Sequence, residues 1–242
     1  MSESSVGSAP QGSIAVVTID GPSSSGKSTV ARNVAKTLRF IHLNSGALFR
    51  AIGVLAVRAN VDTADDDALA NFAKGIQFRF ELCPDNSTRF TADDVDITGE
   101  IFTRDAGRLA SIVAVHPKLR VVLTDVQRRI GEAGGVVVEG RDSGTAAFPN
   151  ARWKFYLDAP AEVRAQRRLA ELTANGETEF AAESEEARLA EIVADFEERD
   201  RRDKTRAVAP LMVAKHATVI DTAGRSIEEI VSQIVEKVGS AT

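Results

Sequence analysis

Residues 13–38 read SIAVVTIDGPSSSGKSTVARNVAKTL, and this stretch decides the fold. An apolar run over 13–20 has the composition of a buried strand. The segment after residue 26 carries apolar positions at helical spacing up to Leu38. Between them Gly21-Pro22-Ser23-Ser24-Ser25-Gly26-Lys27-Ser28 fits G-x-x-x-x-G-K-[ST] without a mismatch. The glycines let the backbone curl so that its amides point inward, and the free amides of the following helix favour negative charge. Such a loop holds phosphates. Its lysine, Lys27, reaches the β- and γ-phosphates of a nucleoside triphosphate, and Ser28, followed by Thr29, is placed to ligate Mg2+.

Further along the chain, apolar runs alternate with amphipathic segments. Strands are expected at 13–20, 40–43, 134–140, 152–159 and 216–222. Helices are expected at 27–38, 46–59, 104–131 with a break at Pro117, 160–174, 184–202 and 226–238. Continuous apolar strands alternating with helices predict an α/β fold with a five-stranded parallel sheet flanked by helices. Residues 74–103 depart from this pattern. Apolar and polar positions alternate there around the turn residues Pro84-Asp85-Asn86, which predicts a small antiparallel insertion of two or three strands. Residues 175–185, NGETEFAAESE, are polar and interrupt two helical segments, as a mobile flap would.

Composition excludes several classes of function. A net charge of −5 and the lack of interleaved aromatic and basic residues argue against a nucleic-acid-binding module. One cysteine, Cys83, rules out an internal disulfide and a cysteine-rich zinc site. His42, His116 and His216 have no metal-site spacing and read as ordinary packing residues, as do Trp153 and Tyr156. No apolar run approaches the ~20 residues that span a bilayer. The first 13 residues, MSESSVGSAPQGS, read as a disordered tail and not a signal peptide, so the expected location is cytoplasmic, with no membrane partner.

Four further stretches carry chemistry. In HLNSGALFR (42–50) a strand ends, Ser45 and Gly46 turn the chain, and a helix carries Arg50, whose planar fork matches a phosphate. In VVVEGRDSGT (136–145) Glu139 could orient a water on Mg2+, Arg141 hold an acceptor phosphate, and Asp142 accept from a ring amino group. Loops at the carboxyl ends of parallel strands line the ligand crevice, so 20–28, 44–50 and 139–145 should converge. In ERDRRDKTRAVAP (198–210) Arg199, Asp203 and Arg206 share one helix face. Arg164, Arg167 and Arg168 share another and precede the polar flap, where they could close over a polyphosphate.

These motifs resemble the bacterial-type cytidylate kinases, a family within the nucleoside monophosphate kinases of the P-loop NTPase fold. IDGPSSSGKST, NSGALFR, GEIFTRDAGRLASIVAVHPKLR, VVVEGRDSGTAAFP and RDRRDKTRAVAPL carry the resemblance, which runs from about residue 14 to 238. It implies transfer of the γ-phosphoryl group of Mg-ATP to CMP or dCMP by a monomer. It also implies a tail at 1–13 and one kinase domain at 14–242. Within that domain the core would be 14–45, 104–160 and 205–242, the acceptor region with its β insertion about 46–103, and the helical lid about 161–200.

By position, Gly21 to Thr29 would bind ATP, with Ser28 on the metal. Arg50 and Arg141 would hold the acceptor phosphate, together with Ser45. Ser111, Arg120, Asp142 and Arg206 would surround the cytosine, and Arg199 with Asp203 would face the sugar. Lys27, Arg141, Arg164 and Arg168 would be the catalytic charges. Three positions depart from the family pattern: Asn44 and Glu139, where aspartate is usual, and Phe102, where arginine is common. From the residues alone, a P-loop kinase for UMP or shikimate and a nucleotide-dependent ATPase or switch remain open, although the guanine-reading N-K-x-D tetrapeptide is absent.

Overall fold

A computed structural model describes residues 15–174 and 184–240, with the side chain of Arg104 left aside. The tail expected at 1–13 lies outside the described residues, as does most of the expected flap, at 175–183.

The central sheet is built from β1 (Val16–Asp20), β2 (Ile41–Asn44), β6 (Val136–Gly140), β7 (Trp153–Asp158) and β8 (Thr218–Asp221). Their order is β2-β6-β1-β7-β8, and all four pairings are parallel. Every residue of β1 and β6 is buried, as expected of strands covered on both faces. Alternation along β6 assigns the faces: Val136 and Val138 pack into one core and Val137 into the other.

The first face is covered by α2 (Ser45–Arg58), α3 (Asp66–Lys74), α4 (Arg104–Val113) and α5 (Pro117–Gly131), with Leu48, Ile52, Leu69, Val113, Leu119 and Leu123 at its centre. The second face is covered by α1 (Lys27–Leu38) and α8 (Ile227–Gly239), through Val30, Val34, Ile230 and Ile234. Pro117 starts α5, where its missing amide costs nothing, so the expected break falls between two helices.

The insertion is an antiparallel sheet of β3 (Phe78–Leu82), β4 (Thr88–Ala92) and β5 (Val95–Asp96). Phe78, Phe80 and Phe90 join the first core, with the Phe80 and Phe90 rings 4.4 Å apart. The Thr88 hydroxyl accepts from the His42 amide at 3.0 Å and ties the insertion to β2.

Two elements were not anticipated. Helix α3 has a local signal, since the Asp65 carboxylate caps it by accepting from the amides of Asp67 and Ala68. The other is a π-helical turn at Ser143–Ala147, directly after β6.

The helices α6 (Ala161–Ala174) and α7 (Glu185–Thr205) pack on each other through a small core of their own, made by Ala165, Leu169, Ile192 and Phe196. Among the described residues no helix is long and apolar enough to cross a membrane.

Candidate active site

All five strands point their carboxyl ends the same way, and the candidate site lies there. Register brings the key positions side by side: Asp20 lies opposite Gly140 and Tyr156, and Asn44 lies opposite Glu139. The loop after β1 passes so close to β7 that a Cβ on Gly21 would lie 2.1 Å from the Leu157 carbonyl oxygen. Only glycine fits, which explains the first fixed residue of the loop motif.

Lys27 is buried at the start of α1 and donates to the Pro22 carbonyl at 2.7 Å. Burial pushes its ammonium well below the usual lysine pKa, and the charges of Arg141 and Arg199 push the same way, against Glu139. Next to it, the Ser28 hydroxyl donates to Glu139 Oε2 at 2.7 Å, while His42 Nε2 lies 3.1 Å from Glu139 Oε1. Burial alone would raise the Glu139 pKa. The His42 hydrogen bond and charge, with Lys27 and Ser28, outweigh burial and hold the carboxyl below its ordinary value.

Beside the phosphate loop five side chains alternate in sign. Arg120 donates to Asp142 Oδ2 at 2.8 Å, and Asp142 Oδ1 lies 3.4 Å from Arg206. Arg206 reaches Asp203 Oδ1 at 3.3 Å, and Asp203 Oδ2 accepts from Arg141 at 3.0 Å. Arg141 ends the chain by donating to the Ser23 hydroxyl at 2.9 Å, inside the phosphate loop. The chain joins α5, the turn after β6, the end of α7 and the loop after β1. One of its buried nitrogens, Arg120 Nε, has no hydrogen-bond partner, while the Arg206 nitrogen that faces Asp142 makes an ion pair without a hydrogen bond. Buried donors of this kind are costly unless a ligand satisfies them.

The Arg199 side chain has no hydrogen bond or ion pair among the described residues. Burial, and then the charge of Arg141, lower its guanidinium pKa to about 10, with Arg50 and Arg202 adding to the fall and Asp203 opposing it. Arg50 in turn is lowered by burial and by the charge of Arg168. Its guanidinium donates to the Ile101 carbonyl at 3.1 Å, and the Phe102 ring lies 5.9 Å away. Positive charge thus gathers here: Arg141 and Arg199 act on Lys27, and Arg141 and Arg50 act on Arg199.

The remaining expected residues fall around this centre. Arg164 is buried, with its three nitrogens on the Ala159 carbonyl, the Ser23 carbonyl and Asp200, so it braces the phosphate loop against α7. Arg167 holds the hydroxyl and carbonyl of Thr222, whose hydroxyl lies 3.2 Å from the Ser25 carbonyl. Arg168 is half-exposed and pairs with Glu171 on its own helix. Ser111 is exposed on α4 and donates to its own helix at Gly107. Ser45 is buried beside Gly140. Asn44 caps α2 by accepting from the Ala47 amide at 3.1 Å, a task that aspartate or asparagine performs equally.

Sequence reasoning missed Asp20, Asp200, Thr222 and the part played by His42. Asp200 and Thr222 gave no local signal, because their partners lie 36 and 55 residues away. Asp20 had one: it ends the strand, directly before the first glycine of the loop.

The family model described as cytidylate kinase matches residues 17–240. A cytidylate kinase of Methylococcus capsulatus is 42% identical over 230 residues, covering 95% of this chain and 99% of that protein. One from a Geobacter species is 41% identical over 89% of this chain and 88% of its own. One from Salmonella paratyphi B is 39% identical over 91% and 93% respectively.

Proposed function

The chain belongs to the cytidylate kinase family, and from that premise we propose that it transfers the γ-phosphoryl group of ATP to CMP or dCMP, giving ADP and the nucleoside diphosphate. The observation that carries the reading is the run Arg120–Asp142–Arg206–Asp203–Arg141, which ends on the phosphate loop at Ser23. It sets a row of charged groups, with the unsatisfied Arg120 Nε among them, beside a place for two anions.

In this reading residues 21–29 hold the triphosphate of ATP, with Lys27 on its outer phosphates. Arg50 and Arg141, beside Ser45, take the acceptor phosphate. Asp142 accepts from the exocyclic amino group of cytosine, while Arg120 and Arg206 donate to its ring acceptors and Ser111 closes the rim. Asp203 and Arg199 face the sugar, and Arg199 has spare donors for the transferring group. Arg164 acts by holding Ser23, and Arg168 adds its charge from the lid helices, about 161–200. The acceptor region is about 46–103, and one copy of the chain contains every group used.

Ser28 and Glu139 offer a hydroxyl and a carboxylate oxygen 2.7 Å apart, a hard-oxygen pair suited to Mg2+. The ion, when bound, neutralises charge on the β- and γ-phosphates. His42 keeps the second oxygen of Glu139 occupied, so the first stays turned toward Ser28.

The acceptor phosphate is ionised near neutral pH and needs no strong base. Catalysis by these residues is alignment plus charge neutralisation, with water kept out. The test is a coupled assay with Mg-ATP and CMP, dCMP, UMP, AMP or GMP. CMP and dCMP should give the highest kcat/KM. A lead for UMP, or ATP hydrolysis indifferent to any acceptor, overturns the reading.

A further inference from the structure

Asp20 ends β1 one residue before the phosphate loop and is 3% exposed. Its Oδ1 accepts from the Ser143 amide at 2.9 Å and its Oδ2 from the Gly144 amide at 2.7 Å. Those two amides open the π-helical turn that directly follows Arg141 and Asp142. The close approach needs glycine at position 144. A Cβ there would lie 2.8 Å from the Thr18 hydroxyl and 3.3 Å from Asp20 Oδ2. Arg141 makes a second tie between the same two segments, to Ser23.

We propose that Asp20 is a positioning residue for the acceptor nucleotide: its carboxylate clamps the turn at 143–144 to the end of β1, and so fixes Asp142 and Arg141 relative to the phosphate loop. The proposal rests on the kinase reading and adds to it a residue that touches neither nucleotide.

The surroundings make the clamp depend on ionisation. No cation pairs with Asp20 among the described residues. The titratable groups that face it are Asp142, from the turn, and Tyr156, from β7. Thr18, from β1 itself, presents a hydroxyl with no hydrogen-bond partner, and the Ser143 side chain helps to hold the carboxylate charge. Burial raises the Asp20 pKa to about 6; the Gly144 and Ser143 amides pull it down and the charge of Asp142 pushes it up. A carboxylate accepts both amides. A carboxylic acid puts a proton on one oxygen, and one amide then loses its acceptor. The turn is released on the side that carries Asp142, while Lys27 keeps the Pro22 carbonyl and the loop keeps its ties to Arg164 and Thr222.

The experiment compares wild type with Asp20→Asn and Gly144→Ala, the latter keeping the carboxylate but displacing the turn. Binding of CMP and of a non-hydrolysable ATP analogue is measured by calorimetry from pH 5.5 to 8. Amide hydrogen exchange over 141–147 is measured in nucleotide-free protein. At pH 8 both variants should bind CMP about tenfold more weakly or worse, the loss expected for one hydrogen bond to a charged group. Both should bind the ATP analogue as wild type does, and exchange over 141–147 should quicken. The wild-type to Asp20→Asn ratio of CMP affinities, in which the titration of CMP itself cancels, should shrink as pH falls through about 6. Unchanged exchange over 141–147, equal losses for both nucleotides, or a pH-independent ratio overturns the clamp. Failure of wild type to bind CMP overturns the kinase reading instead, and the exchange data still decide the clamp.

Discussion

Arg141 Nε lies 3.0 Å from Asp203 Oδ2, a contact between residues 62 positions apart in the chain. It joins the turn after β6 to the last turn of α7, the helix that also carries Arg199. The same carboxylate holds Arg206 through its other oxygen, so Asp203 sets the spacing of two arginines assigned to different parts of the acceptor. Arg120, Arg141 and Arg206 are thus held apart by carboxylates, whereas among the described residues Arg50 rests on the Ile101 carbonyl and Arg199 has no carboxylate partner.

Breaking that link should be felt in stability as well as in binding. Asp203→Ala leaves two half-buried guanidinium groups without a shared acceptor, at a cost of about 1–3 kcal/mol. A double-mutant cycle of Asp203→Ala with Arg141→Ala, read by urea unfolding, should give a coupling of about 1 kcal/mol or more. Strict additivity would mean that the contact contributes nothing.

Arg206→Ala should weaken recognition of the base. Arg206 lies against Asp142, Asp203 and the Ala209 carbonyl. Removing it takes a charged donor from the pocket proposed for cytosine, so KM for CMP should rise by about 10- to 100-fold. KM for ATP should stay put. Steady-state kinetics with each substrate varied in turn checks this, and an unaltered KM for CMP would falsify the pocket assignment.

Lys27→Met should separate activity from stability. The wild-type ammonium is buried among positive neighbours, and its folded pKa is depressed below the unfolded value. For a base shifted in that direction the fold binds its proton less well than the unfolded chain does, so the charged lysine opposes folding at neutral pH. The methionine variant should therefore unfold at a urea concentration no lower than wild type. Its kcat should fall by about 100-fold or more, the scale of one lost preorganised charge in a phosphoryl-transfer site. Parallel urea titrations and coupled assays test both halves.

The sequence made the sheet, its strand ends and the long helices legible because each is written in a local pattern. The apolar run before Asp20, the loop glycines and the break at Pro117 need no knowledge of what packs where. The candidate site was legible only as far as strand ends predict it. Glu139 near the end of β6, Arg141 and Asp142 just after it, and Arg50 in the helix after β2 were found. How their charges pair depends on register and on α7, which the sequence does not display. The bracing role of Arg164 is set by Asp200 and by the Ser23 carbonyl, both brought in by tertiary packing. Helix α3 was missed although its Asp65 cap was visible, because its nine residues give too short a period to stand out beside the strands of the insertion. The turn at 143–147 is irregular, and its shape is imposed by Asp20 from another strand.

The raised pKa of Asp20 also predicts how stability varies with pH. Its folded value, about 6, lies above the ordinary aspartate value of 3.8 that describes it in the unfolded chain. Between those two values the folded protein holds a proton that the unfolded chain has released. The contribution of this group to stability is therefore complete below pH 4 and is lost as pH rises toward 6. A shift of this size corresponds to about 3 kcal/mol. Asp20→Asn cannot titrate, so the difference in unfolding free energy between variant and wild type should change by that order from pH 4 to pH 7, in the variant's favour as pH rises. Urea unfolding of both proteins at pH 4, 5, 6 and 7 measures it. A difference that stays constant across the series would mean that the carboxylate ionises as freely in the fold as outside it, and that burial beside Thr18 and Tyr156 costs the charge nothing.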